Sequence, residues 1–313
     1  MSKVGLIVPT LNAGELWKEW LKAFDRQTRK PDQLLVIDSS SSDETAYLAL
    51  AYGFDVQTIL KSNFNHGGTR QCGINLMKDV DFVVFMTQDT LLATPDAIER
   101  LLDAFEDDRV GAAYGRQLPH QNAGPIAAHA RLFNYPPESQ VRSFANRSRF
   151  GIKTAFISNS FAAYRLSALM QAGGFPSDTI MNEDTFVAGK MLFMGWKVAY
   201  CADAQVYHSH NYSYFEEFRR YFDIGVFHAR SSWLQLIYGK ATGEGRRFVI
   251  SEWRYLLNHD WWLIPSAILR TGLKWLGFKL GSSLHHALPK SVNRRFSLHR
   301  TYWCANLVVT SGD

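Results

Sequence analysis

Four places in this 313-residue chain set ionisable side chains where they could meet a ligand. Asp38 closes the apolar run LLVID. Asp89 follows FVVFM, separated from it by Thr87 and Gln88. Glu183 and Asp184 stand side by side in NEDTFVAGK, and His208 and His210 alternate in VYHSH. Carboxylates and imidazoles are the groups that move protons near neutral pH and hold divalent cations. Each also has a plainer reading. Asp38 and Asp89 suit turns, Glu183 and Asp184 suit the first turn of a helix and its dipole, and the two histidines suit a solvated strand end.

Such groups act together only if the backbone gathers them, and the pattern between them says how. VGLIV (4–8), LLVID (34–38), VQTIL (56–60) and FVVFM (82–86) are short continuous apolar runs, the mark of strands buried on both faces. Helical segments separate them. Leu16, Trp17, Trp20, Leu21 and Phe24 fall at helical spacing, SSSSDET is a Ser/Asp-rich helix start, and NHGGTRQCGINLM leads into another helix. TPDAIERLLDAF opens with Thr94 as N-cap and Pro95 as the first helical residue. This alternation implies parallel strands joined by right-handed crossovers in an open α/β sheet. Ligands of such sheets bind beyond the carboxyl ends of the strands, which is where Pro9, Thr10, Asp38 and Asp89 fall. Phe186, Val187, Met191 and Leu192 give the helix opened by Glu183 a buried face. Residues 119–155 carry four prolines and little regular period, which reads as a flap over a site. GGFP (173–176) reads as a turn.

The net charge of +5 is unevenly spread. Residues 240–313 carry +7 and five of the nine tryptophans, whereas residues 1–239 carry −2. A basic, aromatic segment suits nucleic acid or an anionic membrane surface. Three scattered cysteines without CxxC spacing suit a reducing compartment. The opening apolar run is too short for a signal peptide, and no run approaches the roughly 20 apolar residues of a membrane span. A cytoplasmic protein is expected.

In chain order, IVPTLNAGE, LLVIDSSSSDET, NHGGTR, FMTQDT and NEDTFVAGKMLFMGWKVAYCADAQVYHSH resemble the family 2 glycosyltransferases of the GT-A fold over residues 3–230. FNHGGTR and TQD look most like the bacterial rhamnosyltransferase branch. The resemblance implies a GT-A catalytic domain over 1–239, with a donor half at 1–118 and an acceptor half at 156–239, followed by a helical region over 240–313. It implies inverting transfer of a sugar to a cell-surface polysaccharide or lipid-linked oligosaccharide. The donor would be dTDP-L-rhamnose, or else a UDP-hexose or UDP-N-acetylhexosamine. Pro9, Thr10, Asn12 and Gln88 would line the nucleotide-sugar pocket, Asp38 would accept the pyrimidine N3–H, and Arg70 would lie near the diphosphate. The family's Asp-x-Asp reads Thr87-Gln88-Asp89 here, so Asp89 would be the metal-binding acid. His208, with His210 as the alternative, would be a further ligand. Asp184 would be the general base and Glu183 would orient the acceptor.

The chemistry fits those residue types. A departing nucleoside diphosphate gathers negative charge, which Mg²⁺ or Mn²⁺ stabilises without proton transfer. A histidine ligand biases the choice toward Mn²⁺. One base suffices for a single inverting displacement, whereas a retaining double displacement needs a second, nucleophilic carboxylate. Two rivals fit less well. A sugar nucleotidyltransferase needs a glycine-rich basic loop after the first strand, and VPTLNAGE lacks it. A noncatalytic binder of saccharide or nucleic acid has no use for both Asp89 and Asp184. The tail is expected to bind an anionic membrane surface rather than nucleic acid, on the inner face of the cytoplasmic membrane. Apolar residues from Leu263 to Leu280 recur at helical spacing, and a helix there would lie in the interface with Arg270, Lys274 and Lys279 toward the headgroups.

Overall fold

The computed structural model of the chain describes residues 2–239 and 243–304. The expected C-terminal region of 240–313 therefore lies partly outside the described residues. The strands are β1 (Val4–Thr10), β2 (Gln33–Asp38), β3 (Asp55–Thr58), β4 (Phe82–Met86), β5 (Leu91–Leu92), β6 (Val110–Leu118), β7 (Gln140–Arg142), β8 (Phe161–Arg165) and β9 (Lys197–Tyr207). They form one sheet in the order β3-β2-β1-β4-β8-β6-β9-β5, with β7 paired to β9. β3, β2, β1 and β4 are mutually parallel, as the strand–helix alternation demands. β8 then enters antiparallel between β4 and β6.

The helices of the first half are α1 (Gly14–Asp25), α2 (Thr45–Ala51), α3 (His66–Leu76), α4 (Ala97–Leu102) and α5 (Pro125–Asn134). Those of the second are α6 (Arg147–Phe150), α7 (Leu166–Gln171), α8 (Glu183–Phe193), α9 (Tyr214–Arg230), α10 (Ser232–Tyr238), α11 (Glu244–His259), α12 (Ile264–Leu284) and α13 (Lys290–Phe296). The continuous apolar strands feed two cores, one on each sheet face. Ile7, Ile37, Val83 and Phe85 point into one. Leu6, Val8, Val36, Val84 and Met86 alternate into the other, against Trp17, Trp20 and Leu21 of α1. Period-two alternation supplies both cores from the same strands.

Two local expectations change. Helix α4 begins at Ala97, so Thr94 is not its N-cap; the Thr94 hydroxyl instead donates to Asp96 Oδ1 at 2.7 Å, and the carbonyl of Thr94 takes the Ala97 N–H. Residues 119–155 are more regular than their prolines suggest. Pro125 lies in the first turn of α5, where its missing N–H costs nothing, and the stretch continues through β7 and α6.

The tail departs most from its sequence reading. α12 is one continuous helix, with Pro265 in its first turn. It crosses α9 so closely that a Cβ on Gly281 would stand 2.0 Å from the Phe222 carbonyl oxygen, and one on Gly277 2.4 Å from that of Phe218. The glycines thus permit the crossing rather than weaken the helix. The face that meets α9 also carries charge. Arg270 and Lys274 lie 3.4 and 3.5 Å from Glu217 Oε1, mostly buried. They do not reach toward headgroups, because an acid on α9 draws them inward; of the three expected cations only Lys279 is exposed.

Candidate active site

Beyond Met86 the chain turns sharply, and Asp89 reaches the rim of a cavity of about 510 Å³. β9 ends at Tyr207, so His208 and His210 stand in the loop just beyond the strand. That loop brings both rings to the same acid, each Nε2 3.5 Å from Asp89 Oδ2. One ligand atom from each of the three residues falls within 4.8 Å of the others. Atoms that share one ion at roughly 2.0–2.2 Å stand about 3–4 Å apart, so the trio has the dimensions of a metal site.

Its protonation supports that. Arg131 Nη1 donates to Gln117 Oε1, which fixes that atom as an oxygen, and His208 Nδ1 lies 2.9 Å from the same oxygen. The His208 proton therefore sits on Nδ1, and the bare Nε2 lone pair faces Asp89. Burial lowers the pKa of His208, and burial with the neighbouring His208 lowers that of His210 to about 4, so both rings are neutral at pH 7. An anion facing two neutral nitrogens, one with its lone pair fixed toward it, is a donor set that a divalent cation completes.

The adjacent acids face the same cavity from the start of α8. Asn182 precedes them with φ of 57°, a left-handed turn that asparagine tolerates. Glu183 is buried, with Oε1 2.9 Å from Arg70 Nη1 and accepting from Asn159 Nδ2 at 3.0 Å. Tyr164 in turn donates to Asn159 Oδ1 at 2.8 Å. Asp184 accepts only backbone N–H groups, from Asn159 at 3.1 Å and Thr185 at 2.7 Å. Burial, helped by the Glu183 charge, pushes its carboxyl up to about 7 against those two hydrogen bonds and Arg70. Arg70 reaches Glu183 because α3 starts close by. Asn65 caps α3 by accepting from Gly68 N–H at 2.8 Å. A Cβ on Gly67 would stand 1.8 Å from the Pro176 carbonyl oxygen, so only glycine fits this approach to the loop before α8.

Arg70, Asp89, Glu183, Asp184, His208 and His210 thus line one cavity. Pro9 and Thr10 at the end of β1, Asp38 at the end of β2, and Asn12 and Gln88 in the loops beyond β1 and β4 lie outside that lining. Asp38 is almost fully buried; Oδ1 accepts from the hydroxyls of Thr10 and Ser41, and Oδ2 from Ser41 N–H. One lone pair of Oδ2 stays free for a further donor. Gln88 clamps Leu11, accepting from its N–H at 2.7 Å and donating to its carbonyl at 3.1 Å. Asn12 Oδ1 accepts from Ser42 N–H at 2.8 Å. These contacts lace the ends of β1, β2 and β4 together.

Residues 6–173 match glycosyl transferase family 2. The chain belongs to that family. It is 50% identical over 304 residues, 97% of this chain and 96% of the relative, to the O-antigen chain rhamnosyltransferase WbaN of Salmonella anatum. It is 51% identical over 302 residues, 96% of each, to the O-antigen chain rhamnosyltransferase RfbN of Salmonella typhimurium. Among solved structures, mannosyltransferase PcManGT from Pyrobaculum calidifontis, in complex with GDP-Man and Mn²⁺, is similar with TM-score 0.57 and 18% identity, covering 97% of this chain and 85% of that one. TarS 1–349 of S. aureus follows with TM-score 0.54 and 15% identity, covering 91% of each chain. At these identities the structures show the shared GT-A-like fold.

Several residues of this family 2 glycosyltransferase were missed from sequence. Gln117 sets the His208 tautomer, and Asn159 touches both acids of α8. Arg131 and Arg220 line the cavity, and neither is within 4.0 Å of a carboxylate among the described residues. His299 lies against His66, ring nitrogens 3.2 Å apart. It is held there by Asp223 Oδ2, which accepts the N–H groups of Leu298 and His299 at 2.8 and 3.1 Å. An arginine in a loop-rich stretch and a glutamine at a strand end carry no pattern that separates them from surface residues.

Proposed function

We propose that this glycosyltransferase is an O-antigen rhamnosyltransferase that moves L-rhamnose from dTDP-L-rhamnose to a lipid-linked O-antigen acceptor in a single inverting, metal-dependent displacement. The observation that carries the reading is half-identity to two O-antigen chain rhamnosyltransferases across nearly the whole length of both.

The residues assign themselves roles by elimination. Three carboxylates line the reaction cavity among the described residues. Asp89 faces the two histidines, and Glu183 is occupied by Arg70 and Asn159. Asp184 has no cation beside it; each of its oxygens accepts one backbone N–H and keeps a lone pair for a substrate, and its pKa is near that ideal for a general base at neutral pH. The acceptor hydroxyl oxygen forms the new bond to the anomeric carbon, its proton passes to Asp184, and the carbon–oxygen bond to the nucleoside diphosphate breaks with its electron pair. Glu183 is paired with Arg70 and Asp89 faces the histidines, so the acceptor hydroxyl is the nucleophile and one displacement inverts the configuration. Held by Asp89, His208 and His210, Mn²⁺ or Mg²⁺ would neutralise charge on the leaving diphosphate. Arg131 and Arg220, with no acid within 4.0 Å among the described residues, add positive potential to the same cavity. Glu183 anchors α8 through Arg70 and so keeps Asp184 in place.

Protection against thermal unfolding tests the donor. With Mn²⁺ present, dTDP-L-rhamnose should raise Tm well above the shifts from UDP-glucose, UDP-N-acetylglucosamine and GDP-mannose. A larger shift with a UDP sugar would replace the rhamnose assignment with the hexosyl or N-acetylhexosaminyl one.

A further inference from the structure

α12 is amphipathic in the inverted sense. Its buried side carries Ala267, Arg270, Lys274, Gly277 and Gly281, with both cations committed to Glu217 on α9. Its opposite side is Pro265, Ile268, Leu269, Gly272, Trp275 and Leu276, all exposed. At 100° per residue these six fall within an arc of roughly 120°. Trp275 is 63% exposed, and Trp261 and Trp262 at the head of the helix are 66% and 58% exposed. On α11, Ile250, Trp253 and Leu257 are likewise exposed at helical spacing. A helix in water puts its charges out and its apolar side in. This one turns Arg270 and Lys274 inward and leaves an apolar outer face on which Lys279 is the one cation, so that face is built to meet something apolar beside anionic groups.

We propose that the outer face of α12 docks on an anionic bilayer surface. Charge selects that occupant. Arg246, Arg254, Lys279, Lys290, Arg294 and Arg295 are exposed in the same region, whose charge from 240 onward is +7. A second copy of the chain would meet this charge with its own, whereas anionic headgroups complement it. Tryptophans beside exposed cations match the polarity gradient of a membrane interface. No helix among the described residues is long and apolar enough to cross a membrane, so the contact is peripheral. A second cavity, about 610 Å³, joins this helix to the chemistry. It shares Arg131, His210, Tyr212 and Arg220 with the reaction cavity and extends to Leu263 and, on the inner side of α12, to Ser266, Arg270 and Lys274. A lipid-linked acceptor, on the reading above, would pass from the bilayer to Asp184 along it.

Vesicle co-sedimentation tests the docking without donor or acceptor, so its outcome is separate from that of the donor experiment. The full chain should bind vesicles of phosphatidylglycerol and phosphatidylethanolamine, with tryptophan emission shifting to the blue. It should bind pure phosphatidylcholine vesicles far less. Trp261→Ser/Leu269→Ser/Trp275→Ser should lower the partition coefficient at least about tenfold and leave Tm and donor protection at wild-type values. If that variant loses Tm, quenching of the wild-type tryptophans by brominated lipid decides instead. Quenching supports the proposal and its absence overturns it. Equal binding of the folded triple variant also overturns it. So does a concentration-dependent dimer, abolished by the same substitutions, in a chain that ignores vesicles.

Discussion

Glu183 and Asp184 are consecutive, yet only Glu183 has a cation: Arg70 Nη1 lies 2.9 Å from its Oε1, while Asp184 accepts nothing but two backbone N–H groups. Burial, helped by the Glu183 charge, raises the second acid. Adjacent carboxylates divide into an anchor and a base.

The division predicts kinetics. Asp184→Asn should lower kcat by roughly 10²–10⁴-fold, the usual contribution of a general base, with donor affinity near wild type. The wild-type rate should rise with pH through an apparent pKa of about 7 as Asp184 ionises, and the variant's residual rate should lack that limb. A matching loss of donor affinity would move Asp184 from proton transfer to donor binding.

The same shift has a sign in stability. The Asp184 carboxyl is raised from 3.8 to about 7 on folding, so between those values the folded chain holds a proton the unfolded chain has released. Its stabilising contribution is whole below about pH 4 and is lost as pH rises through 7. Asp184→Asn, which carries no proton to lose, should gain Tm relative to wild type as pH goes from 4.5 to 8. A difference independent of pH would mean the carboxyl is not raised.

Gln117 tests the metal site from one residue away. Its Oε1 holds the His208 Nδ1 proton and leaves Nε2 bare toward Asp89. Gln117→Leu should weaken Mn²⁺ binding about 10–100-fold, as losses of such outer hydrogen bonds do, and Gln117→Glu should retain it. Calorimetric Mn²⁺ titration of the folded variants reads this directly, and equal affinity in both would remove Gln117 from the site.

The crossing of α9 and α12 predicts a contrast between two glycines of one helix. A Cβ at Gly281 meets the Phe222 carbonyl oxygen at 2.0 Å, whereas one at Gly272 meets nothing within 4 Å. Gly281→Ala should cost about 1–3 kcal/mol or more as an overpacked contact, while Gly272→Ala should gain about 0.4–1 kcal/mol through the unfolded state. Denaturant melts of the two variants give the comparison, and a Gly281→Ala as stable as wild type would contradict the close crossing.

The residues readable in advance were those that announce themselves locally. β1, β2 and β4 carry continuous apolar runs, and a carboxylate that ends or follows such a run has one place to be, which is why the strand-end positions of Asp38 and Asp89 were legible. Arg70 and Glu183 were each named from sequence as candidates, but their pairing spans 113 residues and no local pattern encodes it. Gln117 and Asn159 were missed for the same reason: each acts by contact with distant chain. α12 misled because helical spacing gives a stripe without saying which side turns inward. Glu217 on another helix decides that, drawing Arg270 and Lys274 into the protein.

The stereochemical course of transfer tests the central claim most directly. Purified protein with Mn²⁺, dTDP-L-rhamnose and lipid-linked O-antigen acceptor should release dTDP and yield a rhamnoside of anomeric configuration opposite to the donor's by NMR, and Asp184→Asn should yield almost none. Retained configuration, or transfer only from a UDP or GDP sugar, would contradict the account.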